Sequence, residues 1–251
     1  MSSPSNTAAT IGINSVRSAL KFGSDGVLEL WLERTRRDRR LAELAALARE
    51  ARVVVRQATR DELDQASDGG NHQGVLAWVR MPAARTEHEL ERLLDAAEQP
   101  PLLLVLDGVT DPHNLGACLR SADGAGATAV IAPKDKAVGL TPVAVKVASG
   151  AADSVPFVQV TNLARTLESL KARGLWLVGL ADAAPATLFE TDLSGPTALV
   201  LGSEGTGLRR LTQERCDLLA SLPMRGRVES LNVSVTAGIC LYEVVRRRLG
   251  G

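Results

Sequence analysis

From residue 102 onward, short and almost wholly apolar runs recur at 102–106, 129–132, 157–160, 175–180, 198–201 and 220–222, with helix-patterned stretches between them. Strands that read as near-continuous apolar runs are buried on both faces, and their alternation with helices calls for a parallel sheet covered on each side. This part of the chain is expected to be a doubly wound α/β domain. In open sheets of that kind ligands sit outside the carboxyl ends of the strands, so the loops after these runs are where chemistry is to be sought.

The earlier part of the chain has a different rhythm. Residues 11–80 carry helical patterns at 13–21, 38–50 and 60–65 and apolar runs at 27–32, 53–55 and 75–79, which describes a compact α/β unit. Met81 and Pro82 follow, then a charged stretch through Glu98, then Pro100 and Pro101, which cannot continue a helix. The expected division is a flexible tail over 1–10, an N-terminal domain over 11–80, a linker over 81–100 and a larger domain over 101–251. The first ten residues lack a basic start and an apolar stretch, so they do not read as a secretion signal.

Composition removes several function classes. No apolar run approaches the eighteen or so residues of a membrane span, so no membrane partner is expected and a cytoplasmic location is. Cys118, Cys216 and Cys240 are widely spaced, and His72, His88 and His113 form no ligand motif, so no disulfide framework and no metal site is expected. Basic and acidic side chains balance at 29 each, which excludes nucleic-acid binding by bulk charge. Two local clusters remain: Arg34, Arg36, Arg37, Arg39 and Arg40, and Arg246, Arg247 and Arg248. Each also fits a solvated helix face. With seven scattered aromatic residues, base-stacking platforms are not supported, so an RNA partner would be met through phosphates and shape.

Three loops stand out. Residues 107–116 read DGVTDPHNLG and lead into a helical segment with Arg120; Pro112 and Asn114 are helix-start types, and Asn114 fits a plain N-cap. Arg120 falls two turns after His113, above the small Gly116, where it could face a ligand or form a surface ion pair. Residues 202–208 read GSEGTGL, a near miss for the nucleophile elbow, the dinucleotide fingerprint and the phosphate loop. Three glycines in six positions still indicate a backbone bent for close approach, and Glu204, expected near a helix N-terminus, is an acceptor within it. Residues 222–234 read LPMRGRVESLNVS: Ser230 is a good N-cap, Arg225 and Arg227 fit phosphate neighbours, and Asn232, placed one residue into an apolar helix, needs a partner if buried.

Together, Asn114 with Arg120 as N-x₅-R, the G-S-E-G-x-G-L loop from Gly202, and P-M-x-G-x-V-x-S-L-N-V-S from Pro223 resemble, in order and spacing, the three motifs of the SPOUT superfamily, specifically its TrmH-type RNA ribose 2′-O-methyltransferases. The stretch over residues 106–123 is similar to bacterial members that methylate a guanosine in the peptidyl-transferase region of 23S rRNA. The first eighty residues resemble the small ribosomal-protein-like RNA-binding domain preceding the catalytic domain in those enzymes, so the resemblance covers nearly the whole chain. It implies an α/β fold: a parallel-sheet SPOUT domain with a C-terminal deep trefoil knot, preceded by that small α/β domain. It also implies S-adenosylmethionine as cofactor, 23S rRNA or its assembly precursor as partner, a homodimer, and no DNA. Without it, an unknotted sheet would be the expectation.

Carried over by motif position, Gly202, Leu222, Met224 and Leu231 are expected to line the cofactor pocket, and Asn114, Arg120, Glu204, Ser230 and Asn232 to hold catalytic or substrate-ordering places. Arg225, Arg227 and Glu229 occupy variable positions. In the implied reaction a ribose hydroxyl attacks a sulfonium methyl in line, so positioning contributes on the order of 7 to 11 kcal/mol when ideal. Arg120 could stabilise the developing oxyanion, with Asn114 and Asn232 orienting neighbouring groups. As a base it is unsuited, since a guanidinium has no acceptor and hardly deprotonates; an RNA phosphate, Glu204 or water are the alternative proton acceptors. The competing readings are a tRNA ribose 2′-O-methyltransferase, a non-catalytic RNA-binding ribosome-assembly factor, and an unrelated nucleotide-using phosphoryl-transfer enzyme, which the missing phosphate loop disfavours.

Overall fold

The structure, a computed structural model, describes residues 7–182 and 184–250. The chain divides into two compact units at the Pro82–Ala83 peptide.

The first unit is built from β1 (Thr7–Ile11), α1 (Ile13–Phe22), β2 (Val27–Glu33), α2 (Arg39–Glu50), β3 (Val54–Ala58), α3 (Arg60–Ala66) and β4 (Val75–Arg80). Its sheet runs β1-β4-β2-β3, with β2 and β3 parallel and the other neighbours antiparallel. Helix α2 crosses between the two parallel strands, and Leu41, Leu44 and Ala48 on its inner face join Val16, Leu20, Leu30, Leu32 and Val75 in one core. Asp38 caps α2 through the Arg40 N–H at 2.9 Å, and Thr59 with Glu62 forms a capping box on α3. One expectation is corrected here. Residues 7–10, expected in a tail, belong to β1, which pairs with β4 from Thr7 opposite Arg80 to Ile11 opposite Leu76. The remainder of that expected tail, residues 1–6, lies outside the described residues.

The second unit begins with α4 (Glu87–Asp95), which corrects the reading of residues 81–100 as a linker. Thr86 and Glu89 close a capping box and Leu90 is buried under the following sheet. Then come β5 (Leu102–Asp107), α5 (Pro112–Gly124), β6 (Ala129–Pro133), α6 (Pro142–Ala148), α7 (Ala151–Ser154), β7 (Phe157–Val160), α8 (Leu163–Ala172), β8 (Trp176–Leu180), β9 (Ala186–Thr187), β10 (Thr197–Gly202), α9 (Arg210–Arg215), β11 (Leu218–Ser221) and α10 (Val233–Leu249). The sheet order is β7-β6-β5-β10-β8-β11-β9 and every pairing is parallel. Each residue of β5 is buried, as its unbroken apolar run requires for a strand covered on both faces. One face packs Leu104, Leu106, Val130, Leu199 and Leu201 against α5, α6 and α10; the other packs Leu103, Val105, Ile131 and Val200 against α4 and α8. Helices α5 and α6 meet at Gly116, where a Cβ would come within 2.5 Å of the Ala144 carbonyl oxygen. The register sets the carboxyl ends of β5 and β10 side by side, Asp107 opposite Gly202, with β8 next to β10 and β11 beyond it. No described helix is long and apolar enough to cross a membrane.

Candidate active site

The three loops singled out in the sequence leave the carboxyl edge of this sheet. After β5 the backbone turns at Gly108, with φ +88°, and Asp111 caps α5 by accepting the His113 N–H at 2.9 Å. Asn114 is therefore not the cap. It stands at the third helical position, 7% exposed, and its buried amide needs partners from elsewhere.

Those partners come from the other two loops. The Asn114 Nδ2 donates to Glu204 Oε1 at 3.1 Å, and its Oδ1 accepts from Asn232 Nδ2 at 3.0 Å. Asn232 Nδ2 also donates to Glu204 Oε1 at 2.6 Å, closing a triangle across 118 residues of chain. The Val233 N–H, in the first turn of α10, approaches the same Glu204 oxygen at 3.4 Å. Glu204 thus lies near a helix N-terminus as expected, but the helix is α10 from the third motif. Asn232 is the N-cap of α10, accepting the Ser234 N–H at 2.9 Å and hydroxyl at 2.6 Å. This corrects two expectations, that Ser230 caps the helix and that Asn232 lies one residue inside it. Ser230 is exposed on the loop before the cap.

The middle loop is shaped by its glycines. The Gly207 N–H bonds the Ser203 carbonyl at 2.9 Å, folding the loop onto the end of β10, and Gly205 and Gly207 take φ of +81° and +64°. A Cβ on Gly202 would fall 2.0 Å from the Gly207 carbonyl carbon, so no other residue fits there without moving the loop.

Below this loop lies a cleft of about 470 Å³ at the carboxyl ends of β8, β10 and β11. Gly202, Leu222, Met224 and Leu231 line it, and so do Glu204 and Ser230. Asn114 and Asn232 flank it through Glu204 and Val233, both of which face the cleft. Arg120 lies outside the triangle. It is exposed on α5, and its guanidinium makes no hydrogen bond or ion pair among the described residues. Arg225 and Arg227 are likewise exposed.

Asp107 and Arg209 were not singled out in the sequence. Asp107, 1% exposed at the end of β5, accepts the Arg209 N–H at 3.0 Å, and the Arg209 guanidinium lies 3.5 Å from its other oxygen. This pair ties the glycine loop to the strand that leads to Asn114. The available signal was a carboxylate closing an otherwise apolar strand before a glycine. The thiols take no part: burial pushes Cys118, Cys216 and Cys240 up to about 12, out of reach of nucleophilic chemistry near neutral pH.

Comparison with known proteins bears on what this edge does. Residues 101–242 match the SpoU rRNA Methylase family, and residues 11–84 match the family described as RNA 2′-O ribose methyltransferase substrate binding. The chain is 56% identical over 237 residues to the 23S rRNA (guanosine-2′-O-)-methyltransferase RlmB of Pseudomonas putida, covering 94% of this chain and 95% of that protein. It is 52% identical to the protein of that name from Ralstonia nicotianae, over 97% of each chain. Among solved structures it is similar to the SpoU methyltransferase AviRb from Streptomyces viridochromogenes in complex with the cofactor AdoMet, with TM-score 0.77, 28% identity and coverage of 98% of this chain and 92% of that one.

Proposed function

The chain belongs to the SpoU rRNA methylase family, and on that premise we propose that it transfers a methyl group from S-adenosylmethionine to the ribose 2′-oxygen of a guanosine in 23S rRNA. The observation that carries this reading is the convergence of Asn114, Glu204 and Asn232, from three separate segments, beside one cleft at the carboxyl edge of a parallel sheet. The cleft has the size of a small-molecule site, with apolar side chains from Leu222, Met224 and Leu231 and open backbone at Gly202. That mixture suits a ligand with one flat heterocycle and several hydrogen-bonding groups, and Gly202, Leu222, Met224 and Leu231 are the residues that would hold it.

S-adenosylmethionine, when bound, supplies an electrophilic methyl group on a sulfonium. The chain's own residues order the nucleophile. Glu204 Oε1 takes two side-chain donors and one backbone donor, which fixes the carboxylate. Its Oε2 has no hydrogen bond among the described residues and is the acceptor the chain offers to a ribose hydroxyl proton. Ser230, exposed at the cleft, is placed to order the substrate. Arg120 acts as a cation for the developing oxyanion, not as a base, because a guanidinium has no lone pair to accept a proton.

The reading extends to the rest of the molecule. The first unit serves to bind the RNA, and residues 101–251 form the catalytic domain, whose C-terminal segment threads a deep trefoil knot. Supporting the knot, the chain after β11 returns to place Asn232 against both earlier motifs. The protein acts as a cytoplasmic homodimer; Val235, Ile239 and Tyr242 supply an exposed apolar stripe along α10 for self-association.

The test is transfer of labelled methyl to 23S rRNA lacking the modification, with tRNA in parallel and the product mapped. Label at one guanosine 2′-oxygen of 23S rRNA is expected, and Arg120→Ala should lower the rate about 10²- to 10³-fold with cofactor binding retained. Label in tRNA alone overturns the target, and an undiminished rate in the variant overturns the role of Arg120.

A further inference from the structure

Five of the twelve basic side chains in residues 1–82 fall within seven positions, Arg34 to Arg40, and the fold gives that run a definite place. Strands β2 and β3 are parallel and adjacent, so the loop leaving β2 and the loop leaving β3 lie at the same edge. That edge opens into a cleft of about 500 Å³ lined by Arg34, Arg36, Arg37 and Arg39, by the carboxylates Glu33 and Asp38, and from β3 by Gln57, so arginines outnumber acids four to two. Carboxyl edges of parallel strands are where such sheets take ligands.

The charges here are not mutually cancelled. Asp38 grips Arg40 through both oxygens, at 2.8 and 3.2 Å, and reaches Arg36 at 3.5 Å. Hydrogen bonds from Arg40 hold the Asp38 carboxyl at about 2, so it stays ionised and pins two guanidiniums in place. The Arg37 guanidinium makes no hydrogen bond or ion pair among the described residues, and Arg34 has only the longer-range field of Glu62. The leucines of the lining, Leu32 and Leu41, are buried, so the surface offers charge rather than an apolar footprint. No aromatic side chain lines it, which removes base stacking. What remains is a set of planar, doubly donating cations of the kind that matches phosphate oxygens.

We infer that this cleft, through Arg34, Arg36 and Arg37, is the surface by which the first unit holds the RNA phosphate backbone. The inference rests on the function proposed above and assigns a surface that the proposal leaves open. Phosphate pairing of this type sets register on the RNA without reading its sequence, leaving choice of the nucleotide to the second unit.

The test uses the full chain carrying Arg34→Gln and Arg37→Gln together, with unmodified 23S rRNA as the probe over a salt series. Removing one phosphate-paired cation lowers the slope of log affinity against log salt by about 0.7 to 0.9, so a fall of about 1.4 to 1.8 is expected for two, with at least tenfold weaker binding at low salt. S-adenosylmethionine binding in the second unit should be unchanged. The far-UV circular dichroism and thermal unfolding of the double variant should match those of the unsubstituted protein, which shows that the first unit is folded, and methyl transfer should show a raised KM for RNA with kcat retained. Arg49→Gln, about 15 Å along α2 from Arg39 and outside the lining of the cleft, is the control and should change neither slope nor affinity. An unaltered slope in the double variant, or an equal effect of Arg49→Gln, overturns the surface. If the unsubstituted protein binds this RNA with the steep slope but transfers no methyl to it, the proposed function falls while the surface stands.

Discussion

Arg246, Arg247 and Arg248 at the end of α10 and the arginines at 34, 36, 37, 39 and 40 look alike as charge runs, but their surroundings differ. At the C-terminal run, Arg246 donates to both oxygens of Glu243 at 2.7 Å, and Arg247 reaches the same carboxylate at 2.9 Å. Glu243 is 6% exposed, and Arg247 also donates to the Phe189 carbonyl. Arg248 spans the carbonyls of Pro100, Pro101 and Gly195, just ahead of β5 and β10, at 2.7 to 3.1 Å. All three side chains are engaged: Arg246 with Glu243 within α10, and Arg247 and Arg248 with backbone carbonyls outside it. In the N-terminal run Asp38 engages two arginines, Glu43 reaches Arg39 at 3.4 Å, and Arg37 has no such partner among the described residues. What separates the runs is the supply of acceptors within reach, which a count of charges does not contain.

The sharpest way to break this comparison is to remove Arg248. Hydrogen bonds to a charged group are each worth about 1.5–3 kcal/mol, but Pro101 and Gly195 keep bonds from Thr197, so the three contributions do not sum. Arg248→Ala should cost about 2–3 kcal/mol and lower Tm by roughly 5–10 °C. A Tm equal to that of the unsubstituted protein would show Arg248 to be solvated, and the contrast between the runs would collapse.

Glu243→Gln tests the same run from its acceptor side, with a smaller effect. The partner guanidiniums can turn to water, since the Arg246 side chain is 64% exposed, so the expected loss is about 1 kcal/mol near neutral pH. The pH dependence has a definite sign. The hydrogen bond from Arg246, followed by that from Arg247, holds the folded carboxyl below its ordinary range. Its contribution is therefore complete above the unfolded value of about 4.3 and is lost as pH falls through the folded value. Urea midpoints of the two proteins should differ by a constant amount from pH 7 to about 5 and converge at lower pH. A difference that grows on acidification would contradict the pairing.

How much of this was legible in advance varies with the range of the forces involved. The central strands of the second unit were, because a run such as that of β5 has nowhere to go but between two layers. Helix starts were displaced where two cap residues competed: Asp111 before Pro112 wins over Asn114, and Asn232 over Ser230. For α4 the Thr86 and Glu89 capping box was present to be read, but the neighbouring prolines argued for a linker. Strand β1 owes its existence to pairing with β4, some seventy residues away in sequence, which no local pattern contains. The site shows the same limit. Each loop was visible by its glycines and polar residues, and the grouping into one set came from resemblance to a family. That Glu204 Oε1 is shared by Asn114, Asn232 and the α10 backbone is a fact of tertiary geometry.

The smallest expected effect is the one that isolates what the two arginine runs do not share. Arg37→Ala removes a charge of the same kind as Arg248→Ala, from a side chain with no hydrogen bond or ion pair among the described residues, so it leaves no stranded acceptor. Its stability change should stay within about 0.5 kcal/mol. Removing one of several neighbouring cations also relieves some mutual repulsion, and this opposes whatever packing the aliphatic stem contributes. Thermal unfolding followed in parallel for the two variants makes the comparison direct. A destabilisation by Arg37→Ala as large as that by Arg248→Ala would mean that the N-terminal run also holds its fold together, and its arginines would then not be free to meet a phosphate.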